Sequence, residues 1–422
     1  MKILVYPHDL AIGGSQLNAI EITAAIKDLG HEVVVFGQPG PLVSRISELG
    51  LEFVEAPSPR LRPTPAIVRA LLDVVDSRGI DIVHGYEWPP TLECLLAAKR
   101  RRGLVAVSTI MSMAVAPFIP TYVPLCVGTE EIAAAERQFG RSVVALLEPP
   151  VDTALNGPNV EVGLEAFRRE WGLDTDAYTV VSVSRLAHQL KLEGLLGAIA
   201  AVEALSAEIP TRLVIVGDGP ARTEVMDAAA AVNNRTGQRT VVLTGELTDP
   251  RPAYAAADVA LGMGGSALRA MAFAKPLVVQ GENGFWVLLD PTTLPEFLWH
   301  GWYGAGQGAE RGAPELVRIL KSILPEERLR SELGNFGANT VRNRFSLQLA
   351  AQRQLQIYRD ALSHGTNGPN IRDDISAARR YLGYSVGRLL GRFFDRAPAD
   401  DFNSRPLAAG RQPATEARSL GS

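Results

Sequence analysis

The sequence YTVVSVSRL at residues 178–186 is a short apolar run that ends in a serine–arginine turn. The pattern recurs in RLVIVGDGP (212–220) and VALGMGGSA (259–267), where glycines follow the apolar residues. Continuous β-branched and aliphatic runs are typical of strands buried on both faces, as in a parallel sheet covered by helices. The segments between them carry apolar residues at helical spacing, so the pattern predicts right-handed βαβ units and a doubly wound sheet.

The same alternation extends over most of the chain. Helical patterns such as Gln16–Gly30 and Ile67–Gly79 end near a glycine, a common helix terminator. Twelve apolar runs are predicted as strands: Ile3–Tyr6, Val33–Phe36, Phe53–Glu55, Ile82–His84, Val105–Thr109, Leu125–Gly128, Val143–Leu147, Tyr178–Ser184, Arg212–Val216, Thr240–Thr244, Val259–Gly262 and Pro276–Gln280.

These strands form two sets separated by the breaker-rich sequences EPPVD (148–152) and NGPN (156–159). We therefore expect two Rossmann-like α/β domains, at residues 1–155 and 156–362. Ligands of such sheets bind beyond the carboxyl ends of the strands, so two facing domains predict a cleft between them.

The remainder, residues 363–422, forms a tail of different character. Residues 375–394 predict an amphipathic helix with arginines beside an apolar face, a pattern that resembles a helix lying at a membrane surface. Packing on the same protein or on a second subunit is the alternative, and the sequence beyond Ala397 has a disordered composition. The predicted apolar face carries Leu382, Val386, Leu389, Leu390 and Phe393.

Composition limits the function classes. The chain has 422 residues, 46% of them hydrophobic and 21% charged, and a formal charge of −4, which disfavours nucleic acid as a partner. Two cysteines, Cys94 and Cys126, lack metal-ligand spacing and indicate reduced thiols in a cytoplasmic protein. No apolar run is long enough to span a bilayer. We expect no metal ion and no cofactor.

Two motifs favour binding of an anion. Gly13-Gly14-Ser15 joins the first strand to a helix whose free amides attract negative charge, although a tight turn alone would also explain the glycines. Arg185 and Lys191 follow the strand at 178–184, where two cations suit a diphosphate. Solvated surface cations are the alternative for this pair.

Further candidates lie after other strands. Gly217 belongs to a glycine turn that is only a weak indication of a binding site, because shaping the turn would also explain its glycines. Gly264, Gly265 and Ser266 lie in a G-x-G-x-x-A match whose amides suit phosphate, and Glu282 stands 20 residues beyond Gly262, as in nicotinamide enzymes.

The fourth strand of the first domain ends in the sequence His84-Gly85-Tyr86-Glu87. His84 and Glu87 are candidates for proton transfer or for orienting a sugar hydroxyl, since both follow buried apolar residues near a strand end. A structural role, in which the His84 ring is bound only by its own protein, is an equally good interpretation.

Together these motifs resemble the retaining glycosyltransferases of the GT-B fold, in particular glycosyltransferase family 4, over roughly residues 1–362. The resemblance implies that Arg185 and Lys191 bind the donor diphosphate. It also implies that the second domain binds the nucleotide sugar and the first is the acceptor side. Its residues are Gly13-Gly14, Ser184-Arg185-Leu186, Lys191, Gly217-Asp218-Gly219-Pro220, Ala256-Ala257-Asp258-Val259, Leu268-Arg269-Ala270-Met271-Ala272 and Lys275-Pro276.

The sequence departs from that family at two places. Leu261 and Arg269 occupy the positions of two glutamates that the family places eight residues apart, and Thr109-Ile110-Met111 stands where the family has a histidine. Ribose recognition therefore differs, and we expect Arg269 to contact a donor phosphate, an acidic sugar or a protein carboxylate.

The resemblance implies transfer of a sugar, with retention of configuration, from a nucleotide sugar to a saccharide, lipid-linked or polysaccharide acceptor. The sites predicted for this reaction are a catalytic His84, a donor site and an acceptor site, in a protein that is cytoplasmic or at the inner face of the membrane. The alternatives are a non-catalytic nucleotide-sugar or glycan-binding subunit, a nucleotide-sugar epimerase of the same fold and, last, a nicotinamide dehydrogenase. The donor site comprises Gly14, Arg185, Lys191, Gly217, Gly264, Gly265, Ser266 and Arg269, and the acceptor site Gly13, Ser15 and Glu87.

Overall fold

Two sheets organise the chain, one in each of two structural units. The computed structural model describes residues 1–59, 62–173, 176–364 and 370–393. Unit 1 comprises Met1–Pro149 together with the chain from Leu347 onward, and unit 2 comprises Pro150–Ser346.

Unit 1 contains a seven-stranded parallel sheet in the order β3-β2-β1-β4-β5-β6-β7. Its strands are β1 (Lys2–Tyr6), β2 (Glu32–Gly37), β3 (Glu52–Glu55), β4 (Ile82–Tyr86), β5 (Val105–Ile110), β6 (Leu125–Val127) and β7 (Val144–Leu146). Its helices are α1 (Gly14–Asp28), α2 (Val43–Glu48), α3 (Pro65–Arg78), α4 (Trp88–Ala98), α5 (Glu130–Gln138), α14 (Leu347–His364) and α15 (Ile371–Phe393).

Unit 2 contains a six-stranded sheet in the order β10-β9-β8-β11-β12-β13, parallel except for the last strand. Its strands are β8 (Tyr178–Val183), β9 (Thr211–Val216), β10 (Val241–Gly245), β11 (Val259–Gly262), β12 (Leu277–Gln280) and β13 (Trp286–Leu288). Its helices are α6 (Leu164–Trp171), α7 (Leu192–Ser206), α8 (Arg222–Thr236), α9 (Arg251–Ala256), α10 (Gly265–Ala272), α11 (Leu294–His300), α12 (Gly312–Ile323) and α13 (Glu327–Arg344), with a 3-10 turn at Ala309–Arg311.

Each sheet is buried on both faces, as the continuous apolar runs predict. In unit 1, residues such as Ile3 and Val5 face one apolar cluster while Leu4 and Tyr6 face another. Alternate residues of β8 divide in the same way between two clusters of unit 2. Two Rossmann-like α/β folds are therefore confirmed, and the antiparallel β13 is the one strand in the described chain that the sequence analysis did not predict.

The division of the chain differs from the predicted boundaries. Helix α14 falls within the predicted second domain, but it packs against α1 in unit 1, where Leu355, Tyr358 and Ala361 join the core. The change of unit also occurs at Pro150 rather than at residue 155. Helical periodicity shows that α14 has an apolar face, but it does not show which sheet that face covers.

The tail helix α15 also belongs to unit 1. Its Tyr381 and Tyr384 rings contact Trp88 and Phe118, and Asp373 accepts hydrogen bonds from the backbone and hydroxyl of Thr121 at 2.6 and 2.9 Å. One face of the predicted amphipathic helix therefore packs on its own protein. The side chains of residues 389–393 and the predicted disordered end beyond Ala397 lie outside the described residues.

Among the described helices, none has the length and apolarity needed to cross a membrane. Within the same residues, no three His, Cys, Asp or Glu side chains are grouped so that they could hold a metal ion.

Candidate functional site

The glycine turn after β1 leaves the N-terminus of α1 open. Gly13 is the N-cap residue, no side chain caps the helix, and its first turn contains no acidic residue. A methyl group added at Gly14 would meet no atom within 4 Å, so packing of the described chain does not explain this glycine. The free amides and the positive end of the helix dipole remain available to an anion at this edge of unit 1.

Ser15 and Glu87, both predicted for the acceptor side, are in direct contact. The Ser15 hydroxyl donates to Glu87 Oε1 at 3.0 Å, although the residues are 72 positions apart. The same carboxylate accepts bonds from the Met111 amide at 3.0 Å and the Ser112 hydroxyl at 2.7 Å. Glu87 thus joins the first turn of α1 to the loops after β4 and β5 at the carboxyl edge of the sheet.

The backbone of Glu87 shows that this position is specialised. Its φ of 67° lies in the left-handed region, which a residue other than glycine adopts at a cost of about 1–3 kcal/mol. The three hydrogen bonds to its carboxylate offset that cost and fix the side chain.

A polar cluster beside the glycine turn was not predicted. His8 Nε2 lies 3.1 Å from Asp9 Oδ2, and Gln16 Nε2 donates to Asp9 Oδ1 at 2.6 Å. The hydrogen bond to His8, followed by the bond from Gln16, holds the pKa of Asp9 well below its usual range. The available signal was the position of His8 and Asp9 directly after the first strand, where polar side chains reach the carboxyl edge of the sheet.

His84 requires a correction, because the structure gives it a structural role. It is completely buried within β4, and its two ring nitrogens lie 2.6 Å from the Tyr358 hydroxyl and 2.7 Å from Thr109 Oγ1. Burial lowers the pKa of His84 from 6.5 to about 3, so the ring is neutral at physiological pH. The structural alternative weighed for His84 therefore applies, since neither nitrogen is available to a substrate.

The two cations of unit 2 lie after β8, as expected. Arg185 is exposed in the loop that follows the strand, and Lys191 precedes the first turn of α7 as its N-cap residue. Burial lowers the pKa of Lys191 from 10.5 to about 8, and no described carboxylate compensates its charge. A desolvated ammonium group without a partner favours the binding of an anion.

Gly217 has a structural explanation that does not involve a ligand. Its φ is 142°, and an added Cβ would lie 2.0 Å from the Ser184 carbonyl oxygen. The glycine is therefore required by the close approach of the loop after β8. Gly217 also lines a cavity of about 320 Å³ between α8 and the edge strand β10, with Leu186, Met226 and Gly245 among the other lining residues.

The turn before α10 combines two kinds of glycine. Gly264 has a φ of 55°, in the left-handed region that favours glycine. Gly265 does not have a positive φ, and a Cβ added there would face open space. Ser266 donates its hydroxyl proton to the Met263 carbonyl at 3.0 Å, so its backbone amide is the donor that it offers to an anion. The N-terminus of α10 has no side-chain cap and no acidic residue in its first turn.

Arg269 lies in the last turn of α10, which ends at Ala272, so its charge complements the helix dipole there. Its charge acts to lower the pKa of the buried Tyr254, which burial otherwise raises. Arg269 therefore lies near Tyr254, and its expected contact with a donor stays a prediction.

Two family models match the chain, one in each structural unit. The family model described as Glycosyltransferase Family 4 matches residues 12–141, and the one described as Glycosyl transferases group 1 matches residues 177–290. The chain therefore belongs to the group 1 glycosyltransferases of the GT-B fold. No curated protein sequence matches it.

Solved structures support the same fold. A glycosyltransferase from Rickettsia africae ESF-5 is similar, with a TM-score of 0.68 at 17% identity, and the match covers 86% of this chain and 98% of that one. Anabaena Alr3699/HepE in complex with UDP gives 0.67 at 16%, covering 85% of this chain and 100% of that one. WaaG, a glycosyltransferase involved in lipopolysaccharide biosynthesis, gives 0.54 at 16%, covering 84% and 99%.

Proposed function

We propose that this glycosyltransferase moves a sugar, with retention of configuration, from a nucleoside diphosphate donor to a saccharide, lipid-linked or polysaccharide acceptor. The observation that carries the proposal is the ammonium of Lys191, which no described carboxylate compensates, in the segment after β8 that also carries the exposed Arg185. A diphosphate leaving group gains negative charge during transfer, and preorganised cations stabilise that charge. In this proposal Arg185, Lys191 and the amides before α10 provide the stabilisation without a metal ion.

The two missing glutamates favour one alternative, a non-catalytic subunit that binds a nucleotide sugar. Leu261 is only 2% exposed, within the strand β11, and Arg269 is a cation, so neither position supplies a carboxylate. This alternative predicts binding of the donor without its consumption.

Incubation with a panel of UDP-, GDP-, ADP- and dTDP-sugars, with candidate saccharide and lipid-linked acceptors, tests the function. Release of nucleoside diphosphate together with a glycosylated product supports transfer. Calorimetric binding without release supports the non-catalytic subunit, and conversion of the donor to its epimer supports an isomerase. Absence of binding to every member of the panel would contradict the proposal.

We also propose that α15 holds unit 1 at an anionic membrane surface, which would suit a lipid-linked acceptor. Its solvent face exposes Ile371, Ile375, Leu382 and Val386 by 49–70%, at helical spacing. Arg372 and Arg379 are exposed on the same helix, whereas Asp374 is turned inward and pairs with Lys99 at 2.5 Å. An apolar stripe flanked by cations complements anionic lipid, whereas a second copy of the helix would bring like charges together.

Sedimentation with vesicles tests the membrane proposal. We expect the protein to sediment with phosphatidylglycerol-containing vesicles at low salt but not with phosphatidylcholine alone. The double variant L382E/V386E should abolish sedimentation, while L349E, at an exposed leucine of α14, should not. Equal sedimentation of the double variant and the wild-type protein would refute this role for α15.

A further inference from the structure

The loop after β12 carries the carboxylate of Glu282, which is not among the predicted donor-binding residues. Strands β12 and β13 form a hairpin in which Gln280 pairs with Trp286, and Glu282 lies in its loop. Because β12 is parallel to β11, with Val279 opposite Gly262, the loop emerges at the same edge as the glycine turn before α10. Adjacent strands lie about 4.8 Å apart, so Glu282 follows a strand only about two spacings from the strand that precedes Arg185.

A second loop holds the backbone of Glu282 on both sides. The Glu282 amide donates to the Gly304 carbonyl at 3.0 Å, and the Gly306 amide donates to the Glu282 carbonyl at 2.8 Å. The loops are in such close contact that a Cβ at Gly304 would lie 2.3 Å from the Phe285 ring. The position of Glu282 is therefore fixed by the fold and does not depend on a ligand.

The side chain of Glu282 is oriented as firmly as its backbone. The Tyr303 hydroxyl donates to Glu282 Oε2 at 2.6 Å. The backbone of the same loop is held by a further bond, in which the Gly284 amide donates to the carboxylate of Glu193 at 2.7 Å. Glu282 is partly exposed, and its second oxygen, Oε1, receives no hydrogen bond from any described residue. A preorganised carboxylate with one available oxygen suits a ligand that donates hydroxyl groups.

The cationic side of the same edge lies nearby in the fold. Gln280, which ends β12, donates from its side chain to the Lys191 carbonyl at 3.3 Å, so the two loops are joined directly. Lys191 provides a desolvated cation without a partner among the described carboxylates, and Glu282 provides an acceptor. A molecule that carries a diphosphate and hydroxyl groups matches this combination, and dinucleotide-binding sheets likewise bind ribose hydroxyls with an acidic residue after a neighbouring strand.

We infer that Glu282 binds a hydroxyl pair of the nucleotide sugar, either on the ribose or on the transferred sugar, and that Tyr303 positions its carboxylate. This inference rests on the proposed function, because it takes a nucleotide sugar as the ligand. It gives unit 2 a hydroxyl-binding carboxylate, although Leu261 and Arg269 provide none.

Calorimetry with UDP, GDP and ADP, their 2′-deoxy counterparts and the matching nucleotide sugars tests the inference. If the ribose is bound, the wild-type protein should prefer the ribonucleotide about tenfold, and E282Q should lose that preference. If the transferred sugar is bound, E282Q should keep the affinity for the nucleoside diphosphate but lose about tenfold for the nucleotide sugar.

Two further variants make the test independent of one substitution. Y303F should give a smaller loss of the same kind, because Glu282 keeps its charge but loses its orientation. E296Q, at an exposed glutamate of α11, should behave as the wild type. If the wild type binds a nucleotide sugar and E282Q and Y303F bind every ligand as well or better, the inference is wrong and the proposed function stands. If the wild type binds none of the ligands, the proposed function is wrong and the inference fails with it.

Discussion

Replacement of Lys191 by methionine should change two quantities in opposite directions: the stability of the unliganded protein and its affinity for a nucleoside diphosphate. Burial lowers the pKa of Lys191 from 10.5 to about 8. At about 1.4 kcal/mol per pH unit, this difference corresponds to about 3 kcal/mol of cost for the charged form in the unliganded protein. K191M removes that charge while keeping much of the apolar stem, so the free energy of unfolding of the unliganded protein should rise by up to about 3 kcal/mol near pH 7.

The sign of the pH dependence follows from the same values. Between pH 8 and 10.5 the unfolded chain retains the Lys191 proton and the folded chain has lost it, so the folded state gains stability as pH rises through this range. The charge of Lys191 therefore has opposite effects on stability and on binding. It lowers the stability of the unliganded protein, and it is needed to bind the diphosphate.

The effect on donor binding is expected to be large. Hydrogen bonds to charged groups contribute about 1.5–3 kcal/mol, so K191M should weaken nucleoside diphosphate binding at pH 7 by about 10- to 150-fold. One pH unit above the pKa only about a tenth of Lys191 is charged, so the wild-type affinity should fall about tenfold between pH 7 and pH 9. The affinity of K191M should not show this fall, since a phosphate group with a pKa near 6 is already largely ionised at pH 7.

Isothermal titration calorimetry and urea denaturation of the unliganded protein measure the two quantities. K275M is a matched control, because burial also lowers the pKa of Lys275, but that residue precedes β12 and lies at the opposite edge of the sheet. Its nucleotide affinity should equal that of the wild type. A folded K191M protein with wild-type affinity at pH 7 would refute the assignment of Lys191 to the diphosphate.

Three further predictions concern single residues. NMR should find the His84 ring neutral from pH 5 to 8, and H84A should lower stability by about 2–5 kcal/mol by removing the partner of two buried hydroxyls, without loss of turnover per folded molecule. E87Q should reduce turnover more than nucleotide affinity, because the amide group of the glutamine would face the donors from which Glu87 now accepts hydrogen bonds. Equal effects on turnover and on nucleotide affinity would contradict a role on the acceptor side. R269A should weaken nucleoside diphosphate binding, whereas unchanged affinity with a lower melting temperature would assign Arg269 to its place near Tyr254.

The strands were predictable because their burial is encoded locally. Runs such as 212–216 are apolar at nearly every position, and only a strand with both faces covered requires that pattern. β13 lacks such a signal, since it is three residues long and pairs antiparallel at the edge of the sheet. The assignment of α14 to unit 1 likewise depends on packing between residues that are far apart in sequence.

The candidate site was predictable only in part, and for the same reason. The position of Lys191 after β8 follows from the motif, but its desolvation depends on how the surrounding loops pack. The partners of Glu87 come from segments 24 and 72 residues away, so the sequence indicated the residue but not its contacts. Tyr303 and Glu282 meet through two glycine-rich loops whose pairing leaves no periodic pattern.

Leu261 stands where the family resemblance implies a glutamate, and its surroundings disfavour a charged side chain. The side chain belongs to the apolar cluster that includes Val259 and Leu195, and L261E would place a carboxylate there at a cost of several kcal/mol unless it remained protonated. Ligands of such sheets bind beyond the carboxyl ends of the strands, so we expect a carboxylate that contacts the donor or acceptor to lie in a loop at that edge. Glu87 in unit 1 and Glu282 in unit 2 meet that condition, and each is already oriented by hydrogen bonds from its own unit.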